Sequence, residues 1–137
     1  MKNMFERIAI ALLYIILGSV AAIHKLNGPF IPNWYIEKFE HTFLNAFPGG
    51  LHLTFGIIIA FEILIPLLFI IGIIRKEFQE NKTMTFTILG FRSSLVLFLI
   101  LFFGSFLVQD YENGFLDFIY FAVTIFLMRF TTNKSMV

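Results

Sequence analysis

The chain has 137 residues, no cysteine, 58% hydrophobic residues including 20 Phe, only 14% charged residues and a net charge of +1. One domain fits this length, and so much apolar surface with so little charge excludes a soluble globule. The missing thiols exclude disulfide relays and thiolate-held metal or iron–sulfur centres, and the neutral balance excludes a basic field for nucleic acid.

The first apolar run is Ile8 to Ile23, with Arg7 before it and His24 and Lys25 after. It predicts a crossing over about residues 7–24, its flanking Arg and Lys extending the span by snorkelling. Lys2 and Arg7 ahead of an apolar stretch ending in Val20, Ala21 and Ala22 also fit a signal peptide. A polar stripe argues against that. Arg7, Ala11, Tyr14, Gly18, Ala21 and Lys25 recur at spacings of three and four, so they share one face. That face serves either as a small-residue packing seam or as a functional lining carrying Tyr14 and Lys25.

Between residues 26 and 50, Pro29, Pro32 and Pro48 bound the stretch Trp34 to Phe47. Its aromatic residues alternate with Glu37, Lys38, Glu40 and His41. This predicts an interfacial helix with its aromatic side down, a belt or lid.

The second crossing is expected over residues 51–74. It carries Glu62 near its middle and Pro66 one turn later. Proline has no N–H, so the Glu62 carbonyl loses its helical donor. Carboxyl and free carbonyl together demand polar company inside the bilayer. Arg92, in a third crossing over residues 84–108, is the expected partner, with Gly90 and Ser94 beside it as a small-residue pair. The other reading has Arg92 snorkelling and Glu62 protonated by desolvation. A fourth crossing over residues 114–130 puts Asp117, Tyr120 and Thr124 on one face, with Asp117 either lining a cavity or complementing the helix N-terminus. His24 and His52 lie at one level but match no ligand motif, so no metal is expected.

Lys2, Arg7, Arg75, Lys76, Lys82, Arg129 and Lys134 fall on one side of four crossings, against Lys25 and Lys38 on the other. The bias predicts both termini cytoplasmic and the long first loop outside. The fold expected is an all-α, polytopic membrane protein: one four-transmembrane-helix bundle over residues 1–137 with an interfacial helix in the first outer loop.

The order of these pieces resembles the DoxX-like family of small four-helix membrane proteins. The first crossing ends in small residues followed by Lys25 and Leu26. A loop rich in Pro and Phe follows, then Glu62 with a Leu- and Ile-rich run to Gly72, then a short basic loop. Ile63 and Pro66 depart from the small residues usual after the family's glutamate. The resemblance implies an inner-membrane location and links to thiosulfate:quinone oxidoreductase, to thiol and oxidative-stress systems and to maturation of periplasmic enzymes. The leading expectation is a small subunit of a quinone-linked system, with Tyr14, Lys25, Glu62, Arg92, Asp117 and Tyr120 lining a site for a quinone or lipid. No covalent cofactor is expected. The alternative is a non-enzymatic scaffold or accessory subunit for another membrane or periplasmic protein, or for a further copy of itself. A transporter is the third reading, weakened by the lack of an inverted repeat.

Overall fold

The computed structural model describes residues 2–132, with side chains from residue 4. Lys134, counted above for orientation, lies outside the described residues. Five α-helices follow one another: α1 (Lys2–Leu26), α2 (Asn33–Phe39), α3 (Gly50–Ile74), α4 (Thr85–Leu107) and α5 (Tyr111–Thr132), with a 3-10 turn at Phe43–Ala46 between α2 and α3. No strand occurs among the described residues. Helices α1, α3, α4 and α5 are each long and apolar enough to cross a membrane. The chain is therefore a helical bundle with four candidate spans.

α1 packs on α3, α3 on α4 and α4 on α5. The remaining side is closed by a hydrogen bond between the Tyr14 and Thr124 hydroxyls, 2.7 Å apart and buried. In lipid there is little hydrophobic force between helices, so close packing and such polar bonds must hold them. Tyr14 stacks on Phe69 at 5.2 Å between ring centroids and meets Phe91 edge-on at 5.4 Å. Phe55, Phe69 and Phe91 are fully buried, and Phe69 and Phe91 meet edge-on at 5.1 Å in the core. The stripe predicted on α1 faces this core: Arg7, Ala11, Tyr14 and Gly18 are all buried.

Gly18 packs directly against the proline turn of α3. A Cβ there would lie 2.6 Å from Pro66 Cγ and 2.9 Å from the Glu62 carbonyl oxygen. The carbonyl freed by Pro66 thus faces the bare backbone of α1, which shields it from hydrocarbon. Gly90 makes room for the Phe69 ring, 2.9 Å from where a Cβ would stand, and Ser94 donates back to the Gly90 carbonyl at 2.8 Å. The small-residue pair on α4 therefore receives a ring rather than another helix backbone.

Both helix hairpins in the second half close on the same turn. At the end of α3, the Lys76 N–H bonds the Ile73 carbonyl and the Glu77 N–H bonds the Gly72 carbonyl, with Lys76 at φ 54°. At the end of α4, the Gln109 N–H bonds Phe106 and the Asp110 N–H bonds Ser105, with Gln109 at φ 60°. This is the Schellman pattern, built twice on non-glycine residues. In each case the residue after the left-handed position is an acid, and it serves the next helix. Glu77 is 3% exposed and accepts from the Phe86 N–H at 3.0 Å, the Thr87 N–H at 2.9 Å and the Thr87 hydroxyl at 2.8 Å. Asp110 accepts from the Asn113 N–H at 3.4 Å and side-chain amide at 2.7 Å. α5 thus starts at Tyr111, three residues before the expected boundary. Asp110 is the acid bonded to that first turn, which also carries Glu112, and Asp117 faces inward.

The first-loop stretch is not one helix. α2 stops at Phe39, where the Thr42 hydroxyl donates to the Phe39 carbonyl at 2.7 Å and the Asn45 amide donates to the Glu40 carbonyl at 3.2 Å. These side-chain bonds replace the helical ladder. The aromatic residues divide accordingly: Tyr35 and Phe39, one turn apart, are buried against the bundle, while Trp34, Phe43 and Phe47 are exposed.

Replacing Glu77 by Ala strips the first turn of α4 of three bonds in a buried setting. The expected loss is about 1–2 kcal/mol of stability, read as a lower unfolding temperature in mild detergent, with the Gln variant losing less than the Ala variant.

Candidate ligand cavity at the first-loop end

One end of the bundle carries the C-terminus of α1, the N-terminus of α3 and the α4–α5 turn, with α2 laid across them. Beneath α2 lies a cavity of about 460 Å³. Its walls include Phe55 and Ile58 of α3, Leu101 and Gly104 of α4 and Asp117 of α5, and Tyr35 and Phe39 form its roof. Lys25, Lys38, Thr54, Ser105, Asn113 and Asp117 bring polar atoms to this otherwise apolar space.

Lys25 reaches from the last turn of α1 to Glu62, with Nζ 2.5 Å from Oε1. The Glu62 side chain is 5% exposed and that of Lys25 22%. The second Glu62 oxygen, Oε2, is buried without a hydrogen-bond partner. The partner of Glu62 is thus Lys25 and not Arg92, which is exposed. The reason lies in side-chain direction. A helical Cα–Cβ bond leans towards its own N-terminus. α1 and α3 run antiparallel, so Lys25 leans down into the bundle while Glu62 leans up towards the first-loop end. Arg92, on α4, leans towards the opposite end and away from Glu62. By rise per residue it sits about 10 Å from the start of α4, close enough to that boundary to snorkel.

The roof is strapped at two points. The Tyr35 hydroxyl lies 2.9 Å from the Thr54 hydroxyl, and burial pushes the Tyr35 phenol pKa above its ordinary value. Lys38 Nζ lies 2.6 Å from Asp110 Oδ2. Asp110 is held down to about 2, first by the Lys38 bond and then by Asn113. Lys25 and Lys38 are each matched by an acid, and Asp117, the carboxylate that lines the cavity, forms no ion pair among the described residues. It accepts only from the Ser105 hydroxyl, at 3.2 Å.

The six residues expected to form the site therefore divide. Lys25 and Asp117 line the cavity, and Glu62 stands behind Lys25. Tyr14 is committed to Thr124 and the aromatic core. Tyr120 is 45% exposed and packs on Phe98. Arg92 is on the outside. Neither Tyr14, Tyr120 nor Arg92 lines this cavity. His52 stacks on Phe30 away from the cavity, and no cluster of three or more metal-binding side chains occurs among the described residues. Sequence reasoning missed Tyr35, Lys38, Thr54, Ser105 and Asp110. Asp110 followed three residues later by Asn113 is an Asx start signal that could have placed the fourth helix boundary. Nothing local marks Thr54 or Ser105.

Removing one member of the Lys25–Glu62 pair strands the other in the bundle. Lys25→Met is expected to cost about 3–5 kcal/mol, and the double change Lys25→Met/Glu62→Leu to recover much of it. Arg92→Leu should leave the stability of the isolated protein unchanged. Unfolding curves of the four proteins in one detergent check this, and a large loss with Arg92→Leu would restore the Arg92 pairing.

The Asp110 pKa is depressed in the folded chain, so the strap contributes fully above the ordinary carboxyl value of 3.8 and is lost as pH falls towards about 2. Trp34 fluorescence followed from about pH 6 to about pH 2 should change over that lower window. Lys38→Gln should produce the same change already at neutral pH.

No family model, no curated protein and no solved structure matches this chain.

Proposed function

We propose that the chain is a multi-pass subunit of the cell's inner membrane that holds a lipophilic ligand with an oxygen-bearing head in the cavity beneath α2. In this reading the termini are cytoplasmic, as the Lys and Arg distribution favours, and α2 lies at the outer interface. The observation that carries the proposal is one apolar cavity flanked by a donor and an acceptor. Lys25 has N–H groups beyond the one given to Glu62, and the Asp117 carboxylate forms no ion pair among the described residues. Ligand pockets typically combine such an apolar wall with a few convergent polar groups.

A quinone-class head suits that pair. A carbonyl oxygen would accept from Lys25, and in the reduced form a hydroxyl would donate to Asp117. Phe55, Ile58 and Leu101 would bury the ring or its chain, and the exposed Ile57 and Phe103 beside them would adjoin the acyl region. The DoxX-like resemblance favours the same context, a membrane redox system in which electrons come from a partner.

The purified protein, extracted from native membranes in mild detergent, should carry quinone in excess over an unrelated four-span protein treated alike. Asp117→Asn, which keeps the shape of the wall, should reduce that excess. Equal quinone in both preparations would sink the quinone assignment.

The accessory-subunit reading is favoured by a separate observation. Arg92 is exposed on α4, within a candidate span, and has no ion-pair partner among the described residues. Snorkelling takes its head to the boundary, and an acid at that level on a neighbouring membrane helix would pair with it there. Loss of a co-purifying protein on Arg92→Leu would support this.

A further inference from the structure

At the opposite end of the bundle, the turn between α3 and α4 encloses a second hollow of about 330 Å³ lined by Arg75, Glu77, Lys82, Thr83, Thr85 and Phe86. We propose that this hollow binds the phosphate headgroup of an anionic phospholipid. The inference stands apart from the cavity beneath α2 and does not depend on what that cavity holds.

Three features support it. First, the hollow's positive charge is available. Neither Arg75 nor Lys82 forms an ion pair among the described residues. The one acid present, Glu77, has both oxygens engaged by Phe86 and Thr87 of α4. Glu77 thus completes the α4 N-terminus and forms no ion pair with either cation, and the two cations outnumber it in the hollow.

Second, Arg75 is positioned. Its guanidinium carbon lies 5.0 Å from the centre of the Phe86 ring. A guanidinium laid on an aromatic face keeps its edge N–H groups free, and that edge is the geometry that binds phosphate oxygens in pairs. The Thr83 and Thr85 hydroxyls supply further donors at the mouth.

Third, the polarity is graded along the bundle as a phospholipid is. Immediately below Arg75 on α3, Ile74 is 72% exposed and Ile71 36%, and on α4 Leu89 is 43% exposed. These exposed apolar side chains follow the hollow along α3 and α4 towards the middle of the bundle, where acyl chains would run. A soluble phosphate would use the cations but have no need of that surface. Basic pockets at the ends of membrane helices recognise anionic headgroups in this way, each nearby cation contributing severalfold to affinity.

The test is native mass spectrometry of the whole protein in detergent, titrated with phosphatidylglycerol or with phosphatidylcholine of the same acyl chains. The expected result is a bound phosphatidylglycerol retained about tenfold more than phosphatidylcholine. Arg75→Gln/Lys82→Gln should abolish the preference, and the charge-keeping Arg75→Lys/Lys82→Arg variant should retain part of it. Glu77 is untouched in both, so the α4 start and the unfolding temperature should hold. Equal retention of the two lipids, or full preference in the Gln variant, overturns the proposal. Inorganic phosphate displacing phosphatidylglycerol at millimolar concentration would overturn the lipid assignment, because the acyl surface would then contribute nothing.

Discussion

The bond between Lys25 and Glu62 sets the terms for the rest of the bundle. A carboxylate at the middle of a long apolar helix has no water to answer it, and an isolated charge there costs several kcal/mol. Its answer comes from the far end of another helix, and only because the two side chains lean towards each other. That requirement fixes α1 antiparallel and adjacent to α3, and in register. The same contact seats Gly18 on the proline turn, where any larger residue would push the helices apart. One ion pair, one glycine and one proline therefore specify a single interface, and Tyr14 extends it to α5 through Thr124.

Pairing Lys25 with Glu62 also shapes the cavity. The ammonium stands in the wall with part of its donor capacity spent, and the unmatched Oε2 is turned into the protein. The second strap, Lys38 to Asp110, uses the other cation of the first-loop end. What remains is Asp117, faced by aromatic rings and a single hydroxyl. The chemistry of the space follows from this subtraction. It is an apolar chamber with a partly engaged donor on one side and a partly engaged acceptor on another, and its roof is a seven-residue helix held by the buried Tyr35 and Phe39 rings, a phenol hydrogen bond and an ion pair.

Much of this was legible in the sequence, and the parts that were not share a physical cause. Crossings can be read from length and composition, because hydrocarbon filters residues one by one. The buried stripe of α1 can be read from period, because Arg7, Ala11, Tyr14 and Gly18 must share a face in any helix. Position in the chain makes Arg92 a candidate partner for Glu62, but the lean of its side chain towards the other end, which residue type does not announce, separates them. The aromatic spacing of the roof fits one helix, but the bonds that end α2, from Thr42 and Asn45, are local competitors that leave that spacing intact. Glu77 gave no signal, since its role exists only after Lys76 has entered a left-handed conformation that residue type does not announce.

The location of Glu62 also bears on how the chain is assembled in a bilayer. Its helix holds enough Ile, Leu and Phe to enter lipid by itself, each contributing a fraction of a kcal/mol against the few kcal/mol charged to one acid. Lys25 lies in the last turn of α1, which precedes α3 in the chain, so the partner of the acid is made before the acid itself. Entry into lipid and locking of the bundle therefore call on different residues: the apolar run of α3 serves the first, and Lys25 the second.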